Sequence, residues 1–253
     1  MEIWSLGSGS CGNCTIIKSK GHTILVDAGV PKKSFLNKLS AVNVSLDDIE
    51  AAFFTHDHRD HICEVNLIPL NIRYAGLGTV ELLGVSHWLN PYQTREIAGF
   101  KVTPIPVSHD AVNALGFVFD DGEEKLVYLT DTGYINRNNF KYIKNADFYM
   151  FESNYDVEML MNSKRPNFLI KRIYGDKGHL SNEQAGYYLS KLIGDKTKEI
   201  MLIHLSEDTN TPELAVKTVN DYLLNNDIDM SKIKLHHANR YDITIGGRVK
   251  NEV

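Results

Sequence analysis

A mixed α/β fold is predicted by a series of strand-length apolar runs, two well-marked helix starts, and a histidine-rich segment placed where one apolar run ends. The runs are short, rich in β-branched and aromatic residues, and bounded by polar turns, which is the strand signature. They predict strands near residues 2–6, 14–19, 23–27, 51–55, 101–107, 115–120, 125–130, 147–152, 199–203 and 232–236. Ser181-Asn182-Glu183-Gln184 has the form of a capping box, which opens a helix by satisfying its first N–H groups. Behind it Ala185, Tyr188, Leu189, Leu192 and Ile193 repeat along one helical face. Thr211-Pro212 likewise sets a capping hydroxyl before a proline at the first helical position. Further helices are expected to begin near Pro31, after His61 and near Arg137. Strand-rich halves, each closed by helices, give the α/β (α+β) class.

Several runs deliver a side chain able to bind metal or move a proton. Ile24-Leu25-Val26 delivers Asp27, and Phe53-Phe54-Thr55 delivers His56. Val102 to Val107 leads through Ser108 to His109, and Leu126 to Thr130 leads to Asp131. Phe148 to Phe151 leads to Glu152, and Ile200 to Ile203 leads to His204. Strand ends suit such groups because the sheet fixes their positions while the loops carry the chemistry. His56-Asp57-His58-Arg59-Asp60-His61 packs three imidazoles and two carboxylates into six residues. Neutral imidazole is the commonest ligand for zinc and related metals, and carboxylate is the usual oxygen partner. In an extended segment His56 and His58 share one side, while Asp60 and His61 can turn towards a second centre, so the spacing suggests two metal ions. Ten histidines in 253 residues could also cluster by chance, but the acids and histidines at the other strand ends argue against it.

Composition narrows the class further. At 43% hydrophobic and 23% charged the chain can bury a substantial core, and with no linker or repeat it reads as one domain over 1–253. No run approaches the roughly 18 apolar residues of a membrane helix. Met1-Glu2-Ile3-Trp4 lacks the basic-then-apolar order of a signal peptide, so a cytoplasmic protein is expected. Three cysteines cannot form an even disulfide framework. Cys11-Gly12-Asn13-Cys14 has the C-x-x-C form but runs into the strand Thr15-Ile16-Ile17, so it reads as a glycine-rich turn with incidental thiols. Cys63 reads as packing. A net charge of −5 excludes a general DNA-coating protein. Between residues 164 and 177, however, Lys164, Arg165, Lys171, Arg172 and Lys177 oppose only Asp176, a local +4 leading directly into His179. Phosphate contacts need cations near a site, not a basic whole protein, although an ordinary solvated face is the alternative.

Thr55-His56-x-His58-x-Asp60-His61, followed by His109, Asp131 and a final His204, resembles the metallo-β-lactamase fold. Asp27-Ala28-Gly29 fits that family's early Asp-x-Gly turn, so the resemblance covers nearly the whole chain. Four narrower matches are similar to the YycJ/WalJ branch, bacterial proteins regarded as DNA exonucleases. They are Ser8-Gly9-Ser10 with Gly12-Asn13, Glu152-Ser153-Asn154, Gly178-His179-Leu180-Ser181-Asn182 and His204-Leu205-Ser206. Tyr155 departs from the histidine expected there, and no catalytic role is assigned to it; Cys11 and Cys14 stand where small residues such as serine are usual.

The resemblance implies a four-layer αβ/βα sandwich with metals at one sheet edge. It also implies roles: His56, His58 and His109 for a first metal, and Asp60, His61 and His204 for a second. Asp131 would bridge them, a carboxylate having two oxygens to share. Zn, Mn and Fe all accept such ligands. Two cations roughly 3.5–4 Å apart can hold a hydroxide and clamp the attacking and leaving oxygens of a phosphoryl transfer. Asp27 would orient the histidine loop by hydrogen bonding, or serve only as a turn carboxylate. His179 and His204 both precede Leu-Ser. The metal is given to His204, which follows a buried strand; His179, in a loop, becomes the candidate general acid for the leaving oxygen, or a structural or substrate-binding residue. Asp60 and His179 are thus the positions expected to take part in catalysis. Ser8, Ser10 and Asn13 could cradle phosphate, with Asn154 and Ser206 as further substrate contacts, though a plain tight turn also explains the glycines. His22, His87, His236 and His237 read as surface or core histidines. Asp60 and the replacement by His61 of the arginine common in lactam-cleaving relatives favour phosphodiester over lactam hydrolysis. The expected activity is a dinuclear phosphodiesterase acting as a 5′ to 3′ DNA exonuclease. Fold alone does not choose among hydrolyses, so small-molecule hydrolysis of a cyclic phosphodiester or a glyoxalase-II-like thioester is the alternative, and a non-catalytic metal scaffold a third reading.

Overall fold

Residues 1–84 and 87–249 are described in the computed structural model, and among them the strands form two seven-stranded sheets. The first contains β1 (Glu2–Gly7), β2 (Cys14–Ser19), β3 (His22–Val26), β4 (Ala51–Phe54), β5 (Arg73–Gly76) and β6 (Trp88–Leu89), side by side in that order. The second contains β7 (Arg95–Ile97), β8 (Phe100–Pro106), β9 (Leu115–Asp120), β10 (Lys125–Leu129), β11 (Phe148–Glu152), β12 (Glu199–Ile203) and β13 (Lys234–His237), again in chain order. The last strand, β14 (Thr244–Gly247), returns to pair antiparallel with β1. Each sheet is antiparallel where hairpins connect its strands and parallel where helices do: β3 to β6 and β10 to β13 run parallel. The helices are α1 (Lys32–Ala41), α2 (Arg59–Ile62), α3 (Leu77–Leu83), α4 (Phe140–Ile143), α5 (Val157–Met161), α6 (Asn167–Tyr174), α7 (Asn182–Leu192) and α8 (Pro212–Leu224).

Successive strand residues point to opposite faces, and here both faces are covered. Phe53 of β4 points between the sheets, stacking on Tyr74 and meeting Phe119 edge-on, with ring centroids 5.4 and 5.2 Å away. Its neighbours Ala52 and Phe54 face the other way, onto Phe35 and Leu39 of α1. In β11, Phe148 and Met150 join the inter-sheet core with Leu126, Tyr128, Met201 and Ile203. Tyr149 and Phe151 turn outward onto Ala185, Leu189 and Leu192 of α7 and Ala215, Val219 and Leu223 of α8. The result is helix, sheet, sheet, helix, the four layers expected. Each large apolar side chain so buried contributes about 2 kcal/mol. Burial on both faces also explains why these runs are continuously apolar instead of alternating.

The predicted caps form. Ser181 Oγ accepts from Gln184 N at 3.1 Å and Gln184 Oε1 accepts from Ser181 N at 2.8 Å, while Thr211 Oγ1 accepts from Leu214 N at 3.2 Å. Elsewhere the helix expectations need correction. The helix placed after His61 instead begins at Arg59 and contains His61, because His58 ends extended and its carbonyl accepts from His61 N at 2.9 Å. Near Arg137 a 3-10 turn precedes the single turn of α4. Strands β5, β6, β7 and β14 and helices α3, α5 and α6 were not expected. Strand β5 holds the buried Arg73, whose guanidinium donates to Ile68 O, β14 ends in two glycines, and β6 and β7 are two and three residues long. Such segments carry little apolar pattern to read. No helix among the described residues is long and apolar enough to cross a membrane.

Candidate metal centre

The histidine loop leaves β4 through Thr55 and is held by the end of β3. Asp27 is fully buried; its Oδ1 accepts from Thr55 N at 2.9 Å, and its Oδ2 accepts from His61 Nδ1 at 2.7 Å. Ala28 N donates to His61 O and Asn13 N to Asp60 O, at 2.7 and 2.8 Å, so three segments are laced together beneath the site. Gly29 is required by this approach: a Cβ there would lie 1.6 Å from the Asp60 carbonyl oxygen. Asp27, Asp131 and His204, each the first or second residue beyond a strand, adopt left-handed backbone, with φ of 58°, 49° and 56°. Non-glycine residues rarely sit there, and such backbone is held in place by surrounding contacts, commonly at functional sites.

Four of the predicted histidines, His61, His109, His179 and His204, lie within 4 Å of Asp131. Its Oδ2 lies 2.7 Å from His204 Nδ1 and 3.2 Å from His61 Nε2; its Oδ1 lies 3.7 Å from His109 Nε2 and 3.6 Å from His179 Nδ1. Asp60 Oδ2 is 3.5 Å from His61 Nε2 and 3.8 Å from His204 Nε2. The His56 ring is centred 4.6 Å from that of His58, 4.0 Å from His61 and 4.9 Å from His109. Ligand atoms within 4.8 Å of one another group as His56, His58 and His109; as Asp60, His61 and His204; and as His56, His61 and Asp131. A fourth such group is Asp131, Glu152, His179 and His204.

The chemistry of this donor set fits divalent cations. His56 Nε2 is buried without a hydrogen-bond partner, in the middle of the first group, while Thr55 Oγ1 lies 3.0 Å from its Nδ1. His109 Nδ1 donates to the Gly178 carbonyl at 3.1 Å, which directs the Nε2 lone pair at His58 Nδ1, 3.2 Å away. Burial, reinforced by neighbouring imidazoles, pushes the pKa of His56 well down, and burial also lowers that of His109, so both stay neutral as metal ligands require. Burial works against the His61 imidazolium, but Asp27 and Asp131 outweigh it and raise its pKa, making it a basic donor. Burial likewise disfavours the Asp131 carboxylate, and the charges and hydrogen bonds of His204 and His61 overcome that and hold it ionised.

Glu152 is a strand-end acid at the close of β11, and the fold gives it a partner. Its Oε1 accepts from His179 Nδ1 at 2.7 Å, and its Oε2 accepts from Thr132 N at 2.9 Å and Leu180 N at 3.2 Å. Burial lowers the His179 pKa, but the Glu152 charge and hydrogen bond, with Asp131, reverse this and raise it. The sequence carried a signal for the pair in two motifs, Glu152-Ser153-Asn154 and Gly178-His179-Leu180, without showing that they meet.

The other candidates lie close by, mostly facing inward. Ser8 Oγ accepts from His204 N at 2.8 Å, and Asn154 Nδ2 donates to His204 O at 2.7 Å. Ser206 N donates to Asn154 O at 2.7 Å, and its hydroxyl accepts from Thr209 Oγ1 at 2.9 Å. Asn13 Nδ2 lies 3.0 Å from His61 Nε2 and donates to Asp60 Oδ2 at 3.3 Å. Ser10 is exposed on the same turn. His22 and His236 pair with Glu50 and Glu199, at 2.9 and 2.7 Å, and His87 stacks on Tyr74, all outside the cluster.

A helix–sheet–sheet–helix sandwich with histidines and aspartates gathered at its strand ends is the metallo-β-lactamase arrangement, with a side-chain cluster suited to divalent metal. The chain belongs to the beta-lactamase superfamily, whose domain model matches residues 22–205. It is 33% identical over 237 residues to the exodeoxyribonuclease WalJ of Streptococcus pneumoniae, a match covering 88% of each chain. To the exodeoxyribonuclease YycJ of Bacillus anthracis it is 32% identical over 232 residues, covering 86% of this chain and 87% of the other. Its fold is similar to that of the metallo-beta-lactamase fold protein YhfI from Bacillus subtilis, with a TM-score of 0.73 at 19% identity, over 97% and 98% of the two chains.

Proposed function

We propose that this protein is a metal-dependent exonuclease that hydrolyses DNA from the 5′ end at a centre for two divalent cations, Zn or Mn, with Fe suited to the same ligands. The reading is carried by the convergence of His61, His109, His179 and His204 on the two oxygens of Asp131, with Asp60 beside His61 and His204, in a chain similar over nearly nine-tenths of its length to proteins named exodeoxyribonucleases. His56, His58 and His109 would hold one cation, Asp60, His61 and His204 the other, and Asp131 both. When bound, the cations would supply Lewis acidity for activating water and neutralising phosphoryl charge.

The chain's own residues do the rest. Asp27 and Thr55 fix the ring of His61, and the Gly178 carbonyl fixes that of His109. His179, anchored through Nδ1 to Glu152, keeps Nε2 for delivering a proton to the leaving oxygen. Ser10 is the candidate substrate contact with its side chain towards solvent, whereas Ser8, Asn13, Asn154 and Ser206 brace the loops that carry the ligands. A single domain over 1–253 is supported by β14 completing the sheet that β1 begins, and a cytoplasmic location by three cysteines that cannot form an even disulfide framework.

The test is incubation of purified protein with Mn²⁺ or Zn²⁺ and duplexes labelled at either end. Nucleotide release from the 5′ end is expected. No release from a protein with metal bound rejects the nuclease reading, release from the 3′ end reverses the polarity, and turnover of S-acyl glutathione alone moves the site to thioester hydrolysis.

A further inference from the structure

Between Glu152 and His179 the chain forms α5 and α6, and α6 buries only one face. Leu169, Ile170 and Ile173 pack on Tyr155 and Leu160, leaving Phe168, Lys171, Arg172 and Tyr174 outward. Residues three and four apart share a helix face, so Phe168 lies beside Lys171 and Arg172, and Lys171 beside Tyr174. Phe168 is 72% exposed and Tyr174 55%, a pair of aromatic rings offered to solvent within the segment of local charge +4. Arg165 pairs with Asp208, but Lys164, Lys171 and Lys177 are exposed and make no ion pair among the described residues.

Arg172 ties this face to the metal centre. It grips Asp110 with two bonds, Nε to Oδ2 at 2.5 Å and Nη2 to Oδ1 at 3.1 Å, and Asp110 Oδ1 is 3.4 Å from His109 Nε2. A guanidinium fork that fits a carboxylate fits a phosphate equally well. Aromatic rings alternating with cations match a strand of stacked bases on a charged backbone, a ligand whose charge complements this face and not the remainder of the chain.

We propose that the outer face of α6 docks a single-stranded end of the DNA substrate. Phe168 and Tyr174 stack on bases, Lys164, Lys171 and Lys177 face the backbone, and Arg172 releases Asp110 to hold the phosphate that enters the centre. The choice of strand rests on the nuclease reading above, whereas the platform itself is tested by binding alone.

The probe is a fluorescein-labelled oligothymidylate with phosphorothioate linkages, its binding read by anisotropy so that turnover is not needed. Replacing Phe168 and Tyr174 together by alanine should weaken binding about tenfold or more. Lys171→Glu should weaken it too and flatten the dependence of log affinity on log salt by about 0.7. Lys217→Glu, 74% exposed on α8, should leave binding unchanged. All four side chains are exposed, and thermal melting checks that each variant folds. Absence of binding by the unaltered protein, or α6 variants with unchanged affinity and salt slope, overturns the platform. A change of sedimentation mass in those variants with DNA binding intact would assign the face to a second copy of this chain. Parallel cleavage assays separate the two readings: binding that depends on α6 without hydrolysis defeats the nuclease reading alone, and hydrolysis indifferent to α6 defeats the platform alone.

Discussion

Asp131 turns one oxygen to His61 and His204 and the other to His109 and His179, which makes it the residue on which the two halves of the site depend. Asp131→Ala should therefore release at least one metal ion and abolish hydrolysis; a native two-metal content by elemental analysis would remove its bridging role. Glu152 poses a separate question, because it can orient His179 or itself bind metal. In Glu152→Gln the amide oxygen can still accept from Thr132 N and Leu180 N, while the charge that favours a protonated His179 is gone. We expect kcat on DNA to fall by about 10²–10⁴ with KM and metal content unchanged. Loss of metal from that variant would make Glu152 a ligand instead. At this scale the histidine–aspartate cluster was legible because chemistry is written in side-chain type: no apolar core asks for His-x-His-x-Asp-His. The partnership of Glu152 with His179 was not, since the residues are 27 apart and meet only because the chain, after passing through α5 and α6, runs back beside the end of β11, where Asn154 N donates to Leu180 O at 2.9 Å.

The elements hold the site through close backbone approaches more than through side chains. The loop after β3 and the helix α2 touch at Gly29 and Asp60, where there is no room for even one carbon. Gly29→Ala should cost about 3 kcal/mol of stability in denaturant unfolding. It should also lower metal content by pushing Asp60 and His61 outward; native stability and full metal occupancy together would show that the approach is not needed. The caps are simpler. Ser181→Ala removes the acceptor for Gln184 N and should cost about 1 kcal/mol, read as a shift in the unfolding midpoint without a change in slope. Strands buried on both faces announced themselves as unbroken apolar runs, and α7 and α8 by their caps. Strand β5 hid because Arg73 interrupts its pattern, and α6 because Leu169, Ile170 and Ile173 span barely one turn between a proline and a glycine.

Across the whole molecule, Glu199 joins the two sheets at one edge. From β12 its Oε1 meets His236 Nε2 at 2.7 Å on β13, and its Oε2 accepts from Gly247 N at 3.1 Å on β14 of the other sheet. Burial alone would raise the Glu199 pKa, but His236, Lys234 and the Gly247 N–H overcome it and lower the value. A carboxylate with a depressed folded pKa stabilises above its unfolded value of about 4.3, and that contribution is lost as pH falls through the folded value. The melting-temperature gap between the native protein and Glu199→Gln should thus be full at neutral pH and close in acid; a gap constant with pH would separate the joint from this ionisation. The α6 face belongs to the same scale, since its aromatic and cationic side chains matter through their place beside the histidine cluster, to which Arg172 and Asp110 connect it.

Short-range patterns settled the α/β class, the strand runs and the types of residue at the site, because apolar periodicity, caps and ligand chemistry are all local properties of a chain. Tertiary structure alone decided which oxygen of Asp131 faces which histidine, that Glu152 holds His179, and that Arg172 leans on Asp110 at the rim of the centre. These are contacts between residues far apart in sequence, and their distances are set by sheet pairing and layer packing, which no window of neighbouring residues encodes.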